Sequence, residues 1–187
     1  MEKSYPAERI VLRETVLEDC PRVEQLINDR DIAKTTTNIP YPYPKGGIQS
    51  FLEYSNKNRA DGLGLNFSIA LKETNEVIGG IGYCIFPDSK KAELGYWLGK
   101  AYWGKGYTTE AAKKMIEIGF KEYDWNRIYA TAYTTNPASM RVMEKAGMKY
   151  EGTHRKELIK WGEAIDLAYY SILREEFEEQ QKEKKQE

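Results

Sequence analysis

Apolar residues along the chain recur with a period of two in some runs and of three to four in others, and these two periods divide it into strands and helices. Ile10-Val11-Leu12-Arg13 reads as a first strand. Thr15 and Glu18 have capping-box spacing, which predicts a helix from there to about Asn28. Pro40, Pro42 and Pro44 follow closely on one another in "NIPYPYP". Missing N–H donors and restricted neighbours exclude a helix there, leaving a stiff loop that carries Tyr41 and Tyr43. Phe51, Leu52 and Tyr54 mark a second helix from about Gly47 to Arg59, ending near Gly62.

Strand-like runs then follow at Leu65 to Leu71, Val77 to Phe86 and Ala92 to Leu98, separated by the turn sequences "KETNE" and "PDSKK", which predicts an antiparallel meander. Ala111, Ala112, Met115, Ile116, Gly119, Phe120 and Tyr123 have helical spacing, and Arg127 to Tyr133 returns to strand. Strand, loop, helix and strand make one crossover unit. Asn136-Pro137 supplies an N-cap and a proline at the first helical position, and Gly147 stops that short helix. Lys149 to Lys160 and Ala164 to Leu173 flank Trp161-Gly162-Glu163 as a hairpin. The expectation is a mixed, mostly antiparallel α/β sheet of about seven strands flanked by helices. It forms a single domain over residues 1–174, with a charged tail over 175–187 that is a frayed helix or disordered.

Charge and cysteine content narrow the function classes. Lys and Arg total 28 against 29 Asp and Glu, a net charge of -1, so no global field favours nucleic acid or an anionic membrane. Neither is expected as a partner. The N-terminal "MEKSYPAERIVLRE" lacks the apolar core of a signal peptide and no apolar run is long enough to span a bilayer, which predicts a soluble, cytoplasmic protein. Cys20 and Cys84 have no metal-ligand spacing and read as buried thiols.

The stretch "YWGKGYTTEA", residues 102–111, places Gly104, Lys105 and Gly106 at a helix start. There the first N–H groups lack partners and carry the positive end of the helix dipole, a natural anion site. A dinucleotide fingerprint needs glycine where Thr109 stands, and a P-loop needs Ser or Thr where Gly106 follows Lys105, so both motifs fail. Gly106 would still let the backbone approach phosphate oxygens, and the N–H groups from Gly104 through Lys105, Tyr107 and Thr108 can form an anion nest. Trp103 either plugs the loop from beneath or lines the ligand.

The element order and two signatures, "GYWLGKAYWGKGYTTEA" and "TTNPASMRVMEKAGMKYEG", resemble the GNAT N-acetyltransferase superfamily, in particular its RimJ/RimL-like branch of ribosomal-protein N-terminal acetyltransferases. The usual pyrophosphate loop of the superfamily has Gln or Arg, Gly, and Gly or Ala where this chain has Trp103, Gly106 and Thr108. The branch commonly has Trp at the first of these.

The resemblance implies acetyl-CoA as cofactor, with no metal, and CoA as product. Its pyrophosphate would lie on residues 103–108 and its pantetheine between two separating strands, against the backbone of Trp97 and Leu98 and the side chain of Asn136. It also implies direct transfer in a ternary complex, with Ser139 assisting the departing thiolate. Alternation puts Leu94, Tyr96 and Leu98 on one strand face and Glu93 with Trp97 on the other, where Glu93 is the candidate base acting through water. Tyr41 and Tyr43 would flank the acceptor channel, while Asp166 and Glu157 could orient the acceptor amine. His154, the single histidine, is a weaker candidate base. The expected acceptor is a protein N-terminal α-amine, with a small amine, amino acid or antibiotic as the alternative and a non-catalytic CoA sensor as a rival of another class. A monomer or homodimer would serve any of these.

Overall fold

A computed structural model describes residues 3–183. Strands β1 (Ser4–Pro6), β2 (Ile10–Arg13), β3 (Gly64–Leu71), β4 (Val77–Phe86), β5 (Lys91–Leu98), β6 (Arg127–Tyr133), β7 (Lys149–Lys160) and β8 (Glu163–Leu173) form one sheet. Their order is β1-β2-β3-β4-β5-β6-β8-β7, eight strands where the pattern predicted about seven. The additional strand, β1, is three residues long and too short to show a period. Neighbouring strands are antiparallel except β5 and β6, which run parallel because helix α4 (Tyr107–Glu122) carries the chain across one face between them.

Two apolar clusters sandwich the sheet. The larger lies under α4, α5 (Pro137–Lys145) and α6 (Arg174–Glu183), where Met115, Ile116, Ile128, Met143 and Ile172 are essentially inaccessible. The smaller lies under α1 (Cys20–Ile27) and α3 (Gly47–Ala60), and joins Val23, Ile27, Ile48 and Val77 to Trp97 and Tyr43. β5 therefore contributes Leu94 and Leu98 to one layer and Trp97 to the other, as its alternation predicted. Gly80 is required opposite Trp97, since a Cβ there would stand 2.5 Å from the indole nitrogen.

Three expectations need correction. The Thr15/Glu18 capping box does not form. The Thr15 hydroxyl meets Ser68 Oγ at 2.8 Å, and it is Asp19 that accepts the Val16 N–H, at 3.0 Å, ahead of α1. Asp19 also takes Arg13, and that cation decides which nearby acid turns inward.

Cys20 is buried, but Cys84 is exposed, because β4 directs it to the face that α1 and α3 leave partly open. The tail is not frayed over Arg174–Glu183. Phe177 is buried with its ring centroid 5.1 Å from that of Phe120, and the Arg174 guanidinium donates to the carbonyls of Phe120, Tyr123 and Trp125. Residues 184–187 of the predicted tail lie outside the described residues. A one-turn helix, α2 (Arg30–Ala33), also escaped the pattern, being too short for a periodic stripe.

Candidate active site

The central feature is a separation of parallel strands. β5 and β6 pair from Lys91↔Arg127 to Glu93↔Tyr129 and then diverge, although β5 stays paired to β4 as far as Leu98 and β6 to β8 as far as Tyr133. Backbone groups on the facing edges beyond Glu93 and Tyr129 are therefore left without a strand partner, and such groups require an occupant or water. The gap belongs to a cleft of about 1310 Å³ lined by residues from β3 to β8 and the loops beside them.

At one end of the cleft stands the glycine loop. Gly104 and Gly106 have φ of 74° and 83°, and Gly106 is the N-cap of α4 with no side-chain cap, so the first N–H groups of the helix stay available. The loop is held from behind. The Glu110 carboxylate accepts the N–H groups of Arg9 (2.7 Å) and Ile10 (3.2 Å) and the Arg9 Nε (3.0 Å), and the same guanidinium donates to the Lys105 carbonyl at 2.9 Å. Trp103 both lines the cleft and donates its indole N–H to the Leu98 carbonyl at 2.7 Å. It fixes the loop to the end of β5 while leaving a face exposed.

Two polar groups lie on opposite faces of β5. On the α5 side the Tyr96 hydroxyl is 2.9 Å from Ser139 Oγ, and Asn136 caps α5 by accepting the Ser139 N–H at 3.2 Å. Burial pushes the Tyr96 hydroxyl up to about 12, partly offset by Ser139. On the other side Glu93 accepts from Tyr129 (3.1 Å) and Thr131 (3.4 Å). Burial, then the charge of Glu93, raises the Tyr129 hydroxyl, so it remains a donor to that carboxylate. Cys84 lies opposite Glu93 on β4, its thiol pushed up by burial and then by Glu93.

Glu93, Trp97, Leu98, Trp103, Gly104, Gly106, Tyr107, Thr108, Asn136 and Ser139 thus line one cleft. Four other predicted site residues lie elsewhere. Lys105 is not among the residues that line the cleft; its ammonium sits 5.7 Å from the Tyr102 ring centroid. Tyr41 projects into solvent and Tyr43 packs into the smaller core. Asp166 accepts the Lys156 N–H at 2.7 Å and stabilises a left-handed residue in the irregular part of β7.

In place of the two loop tyrosines, residues 35–39 form the wall, and the Lys160 ammonium ties that wall to the β7–β8 hairpin through the carbonyls of Thr36, Thr37 and Ile39 at 2.8–3.2 Å. Tyr96, Tyr129 and Thr131 were not legible as site residues. Alternation assigned Tyr96 to the core face, and although the crossover unit sets β6 beside β5, the pattern does not show which β6 side chains stand opposite Glu93.

These features fit acetyl-CoA, with a backbone nest for pyrophosphate and an unpaired strand edge for the pantetheine amides. Residues 9–149 match the acetyltransferase (GNAT) domain model, and the chain belongs to that family. A similar protein from Bacillus licheniformis, named N-acetyltransferase p20 and itself uncharacterized, is 33% identical over 178 residues, covering 95% of this chain and 99% of the relative. A GNAT-family acetyltransferase structure from Bacillus anthracis is 32% identical, covers 92% of this chain and 99% of its own, and superposes with a TM-score of 0.81. The ribosomal L7/L12 α-N-protein acetyltransferase RimL, solved with coenzyme A, shares the fold at a TM-score of 0.84 and 19% identity, over 91% of this chain and 98% of its own. The protein is an acyltransferase whose donor is acetyl-CoA.

Proposed function

We propose that the acceptor is the α-amine of a protein N-terminus and that it attacks the thioester directly in a ternary complex. The observation that carries this reading is the placement of Glu93 and the Tyr96–Ser139 pair on opposite faces of β5. One face serves the entering amine and the other the leaving thiol.

Direct attack is supported by Cys84, the thiol in the cleft. Burial and Glu93 keep it protonated, and a neutral thiol is a poor acyl acceptor. The α-amine is supported by the absence of a strong base among the described lining residues. At pH 7 an α-amine near ~7.8 is roughly 15% free, whereas a lysine near ~10.4 is only about 0.04% free, a difference of about 3.5 kcal/mol. A carboxylate acting through water can serve the first far more readily.

On the leaving side, proton transfer from Tyr96 at about 12 to a thiolate near ~8.5 is uphill by roughly 5 kcal/mol. The pair therefore acts by hydrogen bonding. With Tyr96 donating to Ser139 Oγ, the serine proton is free to meet the thiolate. Backbone N–H groups on the open edge of β5 would stabilise charge on the thioester oxygen.

The test is mass spectrometry of a mixed protein substrate with acetyl-CoA. Acetyl groups are expected on N-terminal amines, and the rate at subsaturating acceptor should rise with pH and level off near the α-amine pKa. Acetylation confined to internal lysines would exclude this acceptor.

A further inference from the structure

Past Glu93, away from the glycine loop, the same face of the sheet opens into a second concavity of about 390 Å³, walled by Lys91, Arg127, Tyr129, Glu151, His154 and Tyr169. Tyr129 and Tyr169 wall the main cleft as well, so the two spaces share a side. Lys91 and Glu93 point to one face of β5, two residues and so about 7 Å apart.

Charge is sorted between the two spaces. The carboxylates on the cleft side, Glu93 and Glu157, accept the hydroxyls of Tyr129 and Tyr169. In the side pocket Arg127 is already neutralised, since both of its terminal nitrogens lie 2.5 Å from the Glu151 carboxylate. Arg127 and Ser171 together hold Glu151 down to about 2, burial opposing them, so that pair stays ionised and closed. His154 stacks on Tyr169 at 4.0 Å with Nδ1 3.5 Å from Glu157.

Lys91 differs from all of these. Among the described residues its ammonium meets no carboxylate, and it is held 5.3 Å from the Phe86 ring centroid and 5.7 Å from that of Tyr129. Ring faces position a cation without cancelling its charge. A half-buried, positioned and unneutralised ammonium beside the cleft is a recognition element for an anion.

We propose that this pocket is an acceptor subsite for a carboxylate, contacted by Lys91, and that it selects acceptors with an acidic group one residue beyond the reacting amine. The proposal rests on the α-amine reading above. With the amine beside Glu93, one extended residue advances the chain by about 3.5 Å, and the next side chain spans the remaining distance to Lys91.

The experiment compares three peptides that differ only at the second position, Ala-Glu, Ala-Gln and Ala-Lys, with the parent enzyme, Lys91→Ala and Lys91→Glu. Thiol release and mass spectrometry provide the readouts. The parent should favour the Glu peptide over the Gln peptide about tenfold in kcat/KM, as expected for a charge-assisted contact. Lys91→Ala should erase that preference and Lys91→Glu should transfer it to the Lys peptide, with the KM for acetyl-CoA unchanged throughout.

Equal rates on the Glu and Gln peptides in the parent, or a preference that survives both variants, would overturn the subsite. A parent that leaves every α-amine free but acetylates lysine would instead overturn the α-amine reading. The charge preference is then measured with the same variants on Nα-acetyl-Lys-Glu and Nα-acetyl-Lys-Gln, where its absence sinks the subsite as well.

Discussion

At the residue scale the functional question is which hydroxyl or carboxylate acts on the chemical step and which only shapes the cleft. Ser139 Oγ is 2.9 Å from a tyrosine too weakly acidic to give up its proton to a thiolate, so in the proposed mechanism the contribution of Ser139 is one hydrogen bond made as charge develops. Ser139→Ala should lower kcat about ten- to a hundredfold while leaving CoA affinity in calorimetry unchanged. An unaltered single-turnover rate would reduce Ser139 to a helix residue. Cys84→Ala should retain full turnover, and trapping an acetyl group on Cys84 of the parent would contradict direct attack. Glu93→Gln removes the charge and keeps one of the two acceptor oxygens; Tyr129 donates to Oε2 and Thr131 to Oε1, so one of these hydroxyls must turn to accept from the new amide NH2. A loss in kcat/KM for the acceptor, and not for acetyl-CoA, is the expected signature in initial-rate kinetics.

At the element scale we propose that the junction of β5, the glycine loop and α4 holds the donor. Gly106 adopts φ of 83°, and a Cβ there would also approach Arg9 to 3.3 Å. Gly106→Val should therefore cost about 1–3 kcal/mol in backbone strain and weaken CoA binding beyond what the stability loss explains, as calorimetry on the folded fraction would show. The geometry of the loop was legible because it is local, with glycines at positive φ and a helix start adjacent in sequence. The α5 cap and stop were legible for the same reason, and Asn136, Pro137 and Gly147 stand where their types predict. What holds the loop was not legible. Arg9 and Glu110 are about a hundred positions apart and meet only because β2 lies beside α4. Helix α6 was hidden in another way, since Phe177 is a single apolar anchor in a charged run and makes no period. The wall at residues 35–39 depends on Lys160 in the same non-local manner. Lys160→Met should raise the acceptor KM by loosening that wall while leaving the KM for acetyl-CoA unchanged, with hydrogen exchange rising at Thr36 and Thr37.

At the scale of the whole molecule, ion pairs tie the ends of the sheet to the helices that roof it, and they make stability depend on pH in a defined direction. Asp19 is the best buried of the paired carboxylates. Its side chain is 11% exposed and its partner Arg13 16%, and it starts the turn into α1, which packs with Val23 and Ile27 behind Trp97. Burial alone would raise Asp19, but the Arg13 hydrogen bonds, the Val16 N–H and the Arg13 charge outweigh it and hold the carboxyl below its ordinary value. A folded pKa below the unfolded one means that the stabilisation is present above about pH 4 and is lost as pH falls through the lower, folded value. Asp19→Asn should therefore cost about 2 kcal/mol at pH 7, lowering Tm by roughly 4–8 °C, and the gap to the parent should close towards pH 2. Asp31, its side chain 35% exposed and its carboxyl held down to about 2 by Lys100 and then Lys34, provides the contrast. Salt screens exposed pairs but not buried ones, so 0.5 M NaCl should erase any effect of Asp31→Asn and leave that of Asp19→Asn intact. Thermal melts of both variants at two pH values and two salt concentrations decide the matter. An Asp19→Asn penalty that vanished in salt would mean that the Arg13 pair does not anchor α1 over the smaller apolar cluster.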